Sequence, residues 1–154
     1  MPIRVHSFDE LEPRTAYDVW RLRQEVFVVE QRCPYPDLDG RDLEPGTRHV
    51  LLRKGGDLLG YARVLDDGDV WRVGRVVLRP SARGSGLADV LMRGALDACS
   101  AADATRPVVL DAQSPLTGWY ATFGFTVAGP EFVEDGIPHT PMRRNPGPGP
   151  AKSG

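Results

Sequence analysis

Between Arg83 and Ala88 the chain reads Arg-Gly-Ser-Gly-Leu-Ala, directly after a β-branched run and directly before an apolar pattern of helical period. A glycine-rich corner between a strand and a helix leaves main-chain N–H groups unpaired at the positive end of the helix dipole. The ligand that suits such a corner is a phosphate. This corner lacks the Gly-Lys-Ser/Thr ending of a nucleotide-hydrolysing loop, and its spacing is not the G-x-G-x-x-G of a dinucleotide site. Elsewhere, Glu30, His49 and His139 carry side chains able to act as a general base, directly or through a water. Each has a plainer alternative: His49 lies beside an apolar strand, where a histidine is more often structural, and Glu30 suits a solvated helix end. Asp37, Asp39, Asp42 and Glu44 crowd one Pro/Gly-dense loop. They would draw in a cationic amine, or simply stay solvated because they repel one another. Their order is not that of a D-x-D-x-D-G calcium loop. Cys33 and Cys99 form neither a C-x-x-C pair nor a Cys–His arrangement, so the expectation is two reduced thiols, no metal and no covalent cysteine intermediate.

The elements that must position these residues follow from periodicity. Ile3–Ser7 alternates as an opening strand. From Thr15 to about Phe27 an amphipathic helix is expected, with Tyr17, Trp20, Gln24 and Phe27 on one side and Val19, Leu22 and Val26 beside them. The β-branched residues of "VFVVEQ" then end it or send the chain extended. His49–Arg53 and Asp57–Leu65 read as a hairpin closed by Lys54-Gly55-Gly56. Val70–Leu78 reads as a long strand, followed by a helix from near Gly86 whose Leu87, Leu91, Ala95 and Ala98 form a sheet-facing stripe. Val108–Ala112 is a strand, Pro115–Phe123 a short helix, and Phe125–Val133 and Thr140–Arg144 further strands. The order β-α-β-β-β-α-β-α-β-β indicates an α/β fold with a mixed sheet. Residues 1–144 form one domain, and 145–154, which hold no apolar side chain larger than Pro or Ala, form an expected disordered tail.

A net charge of −2 supplies no basic face for nucleic acid or an anionic membrane. No apolar run approaches the ~20 residues needed to span a bilayer, and the N-terminus shows no basic-then-apolar signal pattern. A cytoplasmic protein is expected, and exposed strands of the sheet offer a surface for homodimer pairing.

In context, Arg83-x-x-Gly86-x-Ala88 fits the pattern [Q/R]-x-x-G-x-[G/A] and resembles the acyl-CoA binding motif of the GNAT N-acetyltransferase superfamily. "GWYATFGF" resembles that superfamily's downstream segment with a tyrosine before a Gly-Phe pair. "LRQEVFVVEQRCPYPDLDGRD", "RHVLL", "YARVL", "VGRVVL", "AQSPLTGWYATFGF" and "EDGIPHTPM" together are similar to its ElaA-like branch, up to about Arg144. The resemblance implies a mostly antiparallel sheet of about six or seven strands, splayed at its centre to admit acetyl-CoA, the acyl donor. On that reading the amides of Gly84, Ser85, Gly86, Leu87 and Ala88, with Arg83, hold the diphosphate. The main chain of Val76, Val77 and Leu78 pairs with the pantetheine arm, and the N–H near Leu78 faces the oxyanion. Tyr120 is the implied general acid, because a phenol of pKa ~10 is protonated at pH 7 and can donate to the departing sulfur. Its plainer alternative is a core aromatic. Gln113 bonds the pantetheine or merely caps its strand.

The expected function is therefore direct transfer of an acetyl group to a primary amine on a small molecule or peptide. Two alternatives stand beside it. One is an acyl-CoA-binding sensor or interaction module without turnover. The other is an acyl-homoserine-lactone-synthase-like enzyme, whose first helix "LRQEVFVVEQ" loosely resembles.

Overall fold

The computed structural model describes residues 3–147. Eight strands form one sheet: β1 (Ile3–His6), β2 (Arg48–Lys54), β3 (Asp57–Asp66), β4 (Trp71–Leu78), β5 (Val108–Gln113), β6 (Thr126–Val127), β7 (Phe132–Glu134) and β8 (Ile137–Arg144). Their spatial order is β1-β2-β3-β4-β5-β8-β6, with β7 also paired to β8. Every pairing is antiparallel except β4 with β5. Residues 148–154 of the expected tail lie outside the described residues, and no helix among the described residues is long and apolar enough to cross a membrane.

Both faces of the central strands are covered, which is why β2 and β3 read as nearly continuous apolar runs. On one face, helix α2 (Leu87–Asp103) buries Leu91, Met92, Ala95, Ala98 and Cys99 against Val50, Leu52, Ala62, Val64 and Val73. The expected stripe holds, although Leu87 itself is only partly buried. On the other face, helix α1 (Pro13–Arg23) sets Val19 and Leu22, with Val26 just beyond, against Leu51, Leu58, Tyr61 and Val77. The hairpin between β2 and β3 turns at Gly55-Gly56 as read, with Gly55 left-handed at φ +62°.

Three expectations need correction. The chain does not become extended after α1: Gln24–Glu30 continues as a π-helical stretch. Val26 stays in the core with Val19 and Leu22, while Tyr17, on the side with Trp20 and Phe27, stands exposed. The segment Phe125–Val133 is broken into β6 and β7 around Gly129-Pro130, where a proline removes a ladder donor. Third, the acidic loop is not a solvated surface. Asp37 and Asp42 are buried against Arg23 of α1, which is wholly inaccessible: Arg23 Nε donates to Asp37 Oδ2 at 2.9 Å and Nη1 to Asp42 Oδ1 at 2.7 Å. Arg63 of β3 adds bonds of 2.8 and 2.9 Å to Asp39 and one of 3.2 Å to Asp42. Arg75 of β4 sits with Nε 2.9 Å from Asp37 Oδ1, off the N–H axis, so this is an ion pair without an aligned hydrogen bond. Three arginines thus neutralise three aspartates, and mutual repulsion never decides the loop's conformation.

This network also removes His49 from the list of bases. Its ring has no exposed surface, Nδ1 meets the Tyr61 hydroxyl, and Nε2 lies 3.0 Å from the Asp42 carbonyl. Burial pushes its pKa below the ordinary value. A histidine buried neutral contributes stability that is present above the unfolded pKa near 6.5 and is lost as pH falls through the lower folded value.

Arg23→Ala leaves two buried carboxylates without their shared cation and is expected to cost about 3–5 kcal/mol in urea unfolding. A loss under about 1 kcal/mol would mean the network is dispensable. In a pH titration followed by NMR, the His49 ring should protonate at a lower pH than an ordinary imidazole. Protonation at or above the ordinary pKa near 6.5 with the fold intact would contradict its placement. Asp39, held down to about 2 chiefly by its bonds to Arg63 and the Arg41 amide against the cost of burial, contributes stability that is full above its ordinary pKa of 3.8. That contribution should vanish as pH falls from about 4 to 2.

Candidate active site

Strands β4 and β5 are hydrogen-bonded neighbours only at Trp71↔Val108 and Arg72↔Val109. Beyond that point they diverge, and the edge of β4 from Val73 to Leu78 is left without a partner strand on the β5 side. The divergence coincides with a bulge in β4. The register to β3 slips between Tyr61↔Val77 and Arg63↔Gly74, and Arg75 within the slip has φ +49°, a left-handed conformation that costs a non-glycine residue about 1–3 kcal/mol. Its side chain holds it there through Asp37, whose carbonyl accepts from Nη2 at 3.1 Å, and by lying over the Tyr35 ring. The V-shaped opening forms a cleft of about 410 Å³ walled by Val76, Val77 and Leu78 on one arm and by Gln113, Tyr120 and His139 on the other.

At the mouth, β4 runs through a short 3₁₀ turn, Pro80–Ala82, into the corner Arg83–Ala88. Gly84 and Gly86 are both left-handed, at φ +83° and +79°, which explains the glycines before any ligand is considered. Gly86 is the N-cap of α2 and has no side chain to cap it, so the first-turn N–H groups of α2 are not met by a capping side chain. A Cβ built on either glycine meets no atom within 4 Å, which leaves open space over the backbone. The residues present therefore fit a phosphate.

Tyr120 lies on α3 (Thr117–Ala121), packed edge-on against Trp119 and Phe125 and nearly buried. Burial alone pushes its phenol up to about 12. It is a core aromatic that also lines the cleft. His139 donates from Nδ1–H to the Ile137 carbonyl at 2.8 Å, because a carbonyl only accepts, and in the neutral ring this tautomer places the lone pair on Nε2. The ring stacks on Phe132, 5.7 Å between centroids, and lines the cleft. Gln113 neither caps its strand nor stands free, since its Nε2 reaches Gln31 Oε1 at 3.4 Å. Glu30 is a two-pronged partner of Arg83, at 2.8 and 3.0 Å, and that guanidinium holds its carboxyl below the usual range. This makes it a weak base.

The structure thus brings Tyr120, His139, Gln113, Arg83 and Val76–Leu78 to one cleft and leaves His49 behind it. Sequence reasoning missed Gln31, Cys33, Tyr35 and Arg75, which line the same space. Cys33 is tied by its thiol to the Asp135 carbonyl at 3.1 Å, joining the loop to the β7–β8 turn. One signal for Arg75 and Arg63 was available, because an arginine inside an apolar strand run must find a buried counter-charge.

The acetyltransferase (GNAT) domain family matches residues 19–146. Protein ElaA of Escherichia coli is 41% identical over 138 residues, 88% of this chain and 90% of that protein. Its crystal structure superposes with a TM-score of 0.90 over 94% of this chain and 100% of that one. An acyl-CoA N-acyltransferase from Pseudomonas aeruginosa gives a TM-score of 0.89 at 39% identity, over 94% and 99% of the two chains. An aminoglycoside 6'-N-acetyltransferase complexed with coenzyme A shares the fold alone, with a TM-score of 0.71 at 14% identity over 96% and 99%. With the open sheet, the uncapped glycine corner and these matches together, the chain belongs to the acetyltransferase (GNAT) domain family, in its ElaA-like branch, and is an acyltransferase.

Proposed function

We propose that the protein transfers an acetyl group directly from acetyl-CoA to a primary amine of a small molecule or peptide. The observation that carries this is the unpaired edge of β4, followed through the short turn Pro80–Ala82 by the uncapped corner at Gly84–Ala88. A ligand with a diphosphate at one end and an amide-bearing arm at the other matches that surface in order. The first-turn amides and Arg83 meet the diphosphate, and the main chain of Val76–Leu78 takes the amides of the arm as a strand takes its neighbour. The fold is shared with the coenzyme A complex of the aminoglycoside acetyltransferase, which supports the cofactor assignment.

The proton bookkeeping assigns two residues. Tyr120, still protonated through neutral pH, gives a proton or hydrogen bond to the departing sulfur. His139, with its lone pair at Nε2, accepts the proton of the attacking amine, directly or through a water. The N–H near Leu78 serves the developing oxyanion. Glu30 is not assigned a proton-transfer role, because both of its oxygens are bound to Arg83.

The test follows thiol release from acetyl-CoA in the presence of polyamine, amino-acid, aminoglycoside and peptide pools. Tyr120→Phe should lower kcat about 10²-fold and leave coenzyme A affinity nearly unchanged. His139→Gln should lower kcat by a similar factor in the same pool. If coenzyme A binds tightly and no pool releases thiol above the Tyr120→Phe control, the sensor reading replaces this one. Lactone formation from S-adenosylmethionine and an acyl donor would favour the synthase reading. Gly86→Val places a branched side chain at a left-handed position over the corner and should weaken coenzyme A binding at least about tenfold. Unchanged affinity would move the diphosphate elsewhere.

A further inference from the structure

Consecutive residues at the end of the π-helical stretch touch both arms of the open sheet. Glu30 holds Arg83, which follows β4, by two bonds of 2.8 and 3.0 Å, and Gln31 receives the Gln113 amide, at the end of β5, at 3.4 Å. The partners are 53 and 82 residues apart in sequence, so these contacts belong to the tertiary structure and not to local folding. The segment is anchored from behind. Val26 is buried in the core of α1, the Gln31 amide bonds the Val26 carbonyl at 3.0 Å, and the Cys33 amide bonds the Val28 carbonyl at 3.2 Å. Meanwhile the third nitrogen of Arg83, Nε, donates to the Leu78 carbonyl at 3.2 Å. Every nitrogen of the guanidinium is therefore engaged before any ligand arrives.

We propose that Glu30 and Gln31 form a two-point strap across the open end of the cleft, and that Glu30 sets the affinity for coenzyme A by competing with its diphosphate for Arg83. The inference rests on the cofactor reading above. A carboxylate and a diphosphate are both anions and want the same planar donor pair. When the diphosphate occupies the corner, Glu30 is a like charge beside it, and binding must displace it from Arg83. The strap thus weakens binding of any ligand whose anion cannot replace a carboxylate, and it ties opening of the β5 arm, through Gln31, to occupancy of the corner. Glu30 acts here through Arg83 and not on the reacting atoms.

Isothermal titration of coenzyme A into the full chain, Glu30→Gln, Gln31→Ala and Glu25→Gln tests this. Glu25 supplies a matched charge change in the same stretch, where it pairs outward with Arg21. An exposed ion pair of this kind converts to a change of about 2–5-fold, and relief of like-charge repulsion adds to it. Glu30→Gln should bind coenzyme A about 3–10-fold more tightly, with the gain shrinking in about 0.5 M salt. Gln31→Ala should tighten binding more weakly, and Glu25→Gln should match the parent. In an Arg83→Gln background, Glu30→Gln should lose most of its effect. If the parent binds coenzyme A and Glu30→Gln binds equally or less tightly, the strap is wrong. If Glu30→Gln loses turnover at unchanged affinity, Glu30 is part of the proton transfer instead. If the parent itself binds no coenzyme A, the cofactor reading falls and the strap falls with it.

Discussion

The separation of β4 from β5 after two paired positions is the constraint on which the rest depends. A parallel pair that continued to the end of both strands would satisfy its own main chain and leave nothing to recognise a ligand with. By parting at Arg72↔Val109, the sheet exposes a strip of peptide groups along the cleft, an arrangement that costs stability unless a ligand or water completes it. The strip ends at Leu78, and a 3₁₀ turn, Pro80–Ala82, carries the chain from it to the uncapped N-terminus of α2. A long ligand with an anionic head would use both parts, because neither alone has much specificity.

The opening is maintained by charge buried behind it. Arg75 occupies an unfavourable backbone conformation at the bulge, and the groups that hold it are the carboxylate and carbonyl of Asp37, themselves fixed by Arg23. Burial works against the charge on Arg23, yet the Asp42 bond and the surrounding groups prevail and hold its pKa above the ordinary value. Breaking such a network is costly because it leaves a buried charge uncompensated. The loop from Cys33 to Glu44 therefore does more than connect α1 to β2, since its Asp37 holds Arg75 at the bulge where the register of β4 slips.

Much of this was legible in the residues. The apolar stripe of α2, the Gly55-Gly56 hairpin and the glycine corner follow local rules that tertiary packing did not overturn. What could not be read was non-local. The π-helical stretch depends on where Val26 must point once α1 is docked, and β-branched propensity taken alone suggested an extended chain. The acidic loop looked solvated because its counter-charges, Arg23, Arg63 and Arg75, come from three different elements. His49 and His139 are the same residue type, and the apolar strand beside His49 only hinted at a structural role. The sheet register separates them, placing one against Tyr61 within the network and the other opposite Gln113 on the cleft.

The most direct measurement is a structure of the protein with coenzyme A bound. The account predicts the diphosphate on the amides of Gly84–Ala88 and the arm laid along Val76–Leu78, with the β4–β5 gap still open. Cofactor bound elsewhere with that corner empty, or β4 and β5 zipped together along their length, would contradict it.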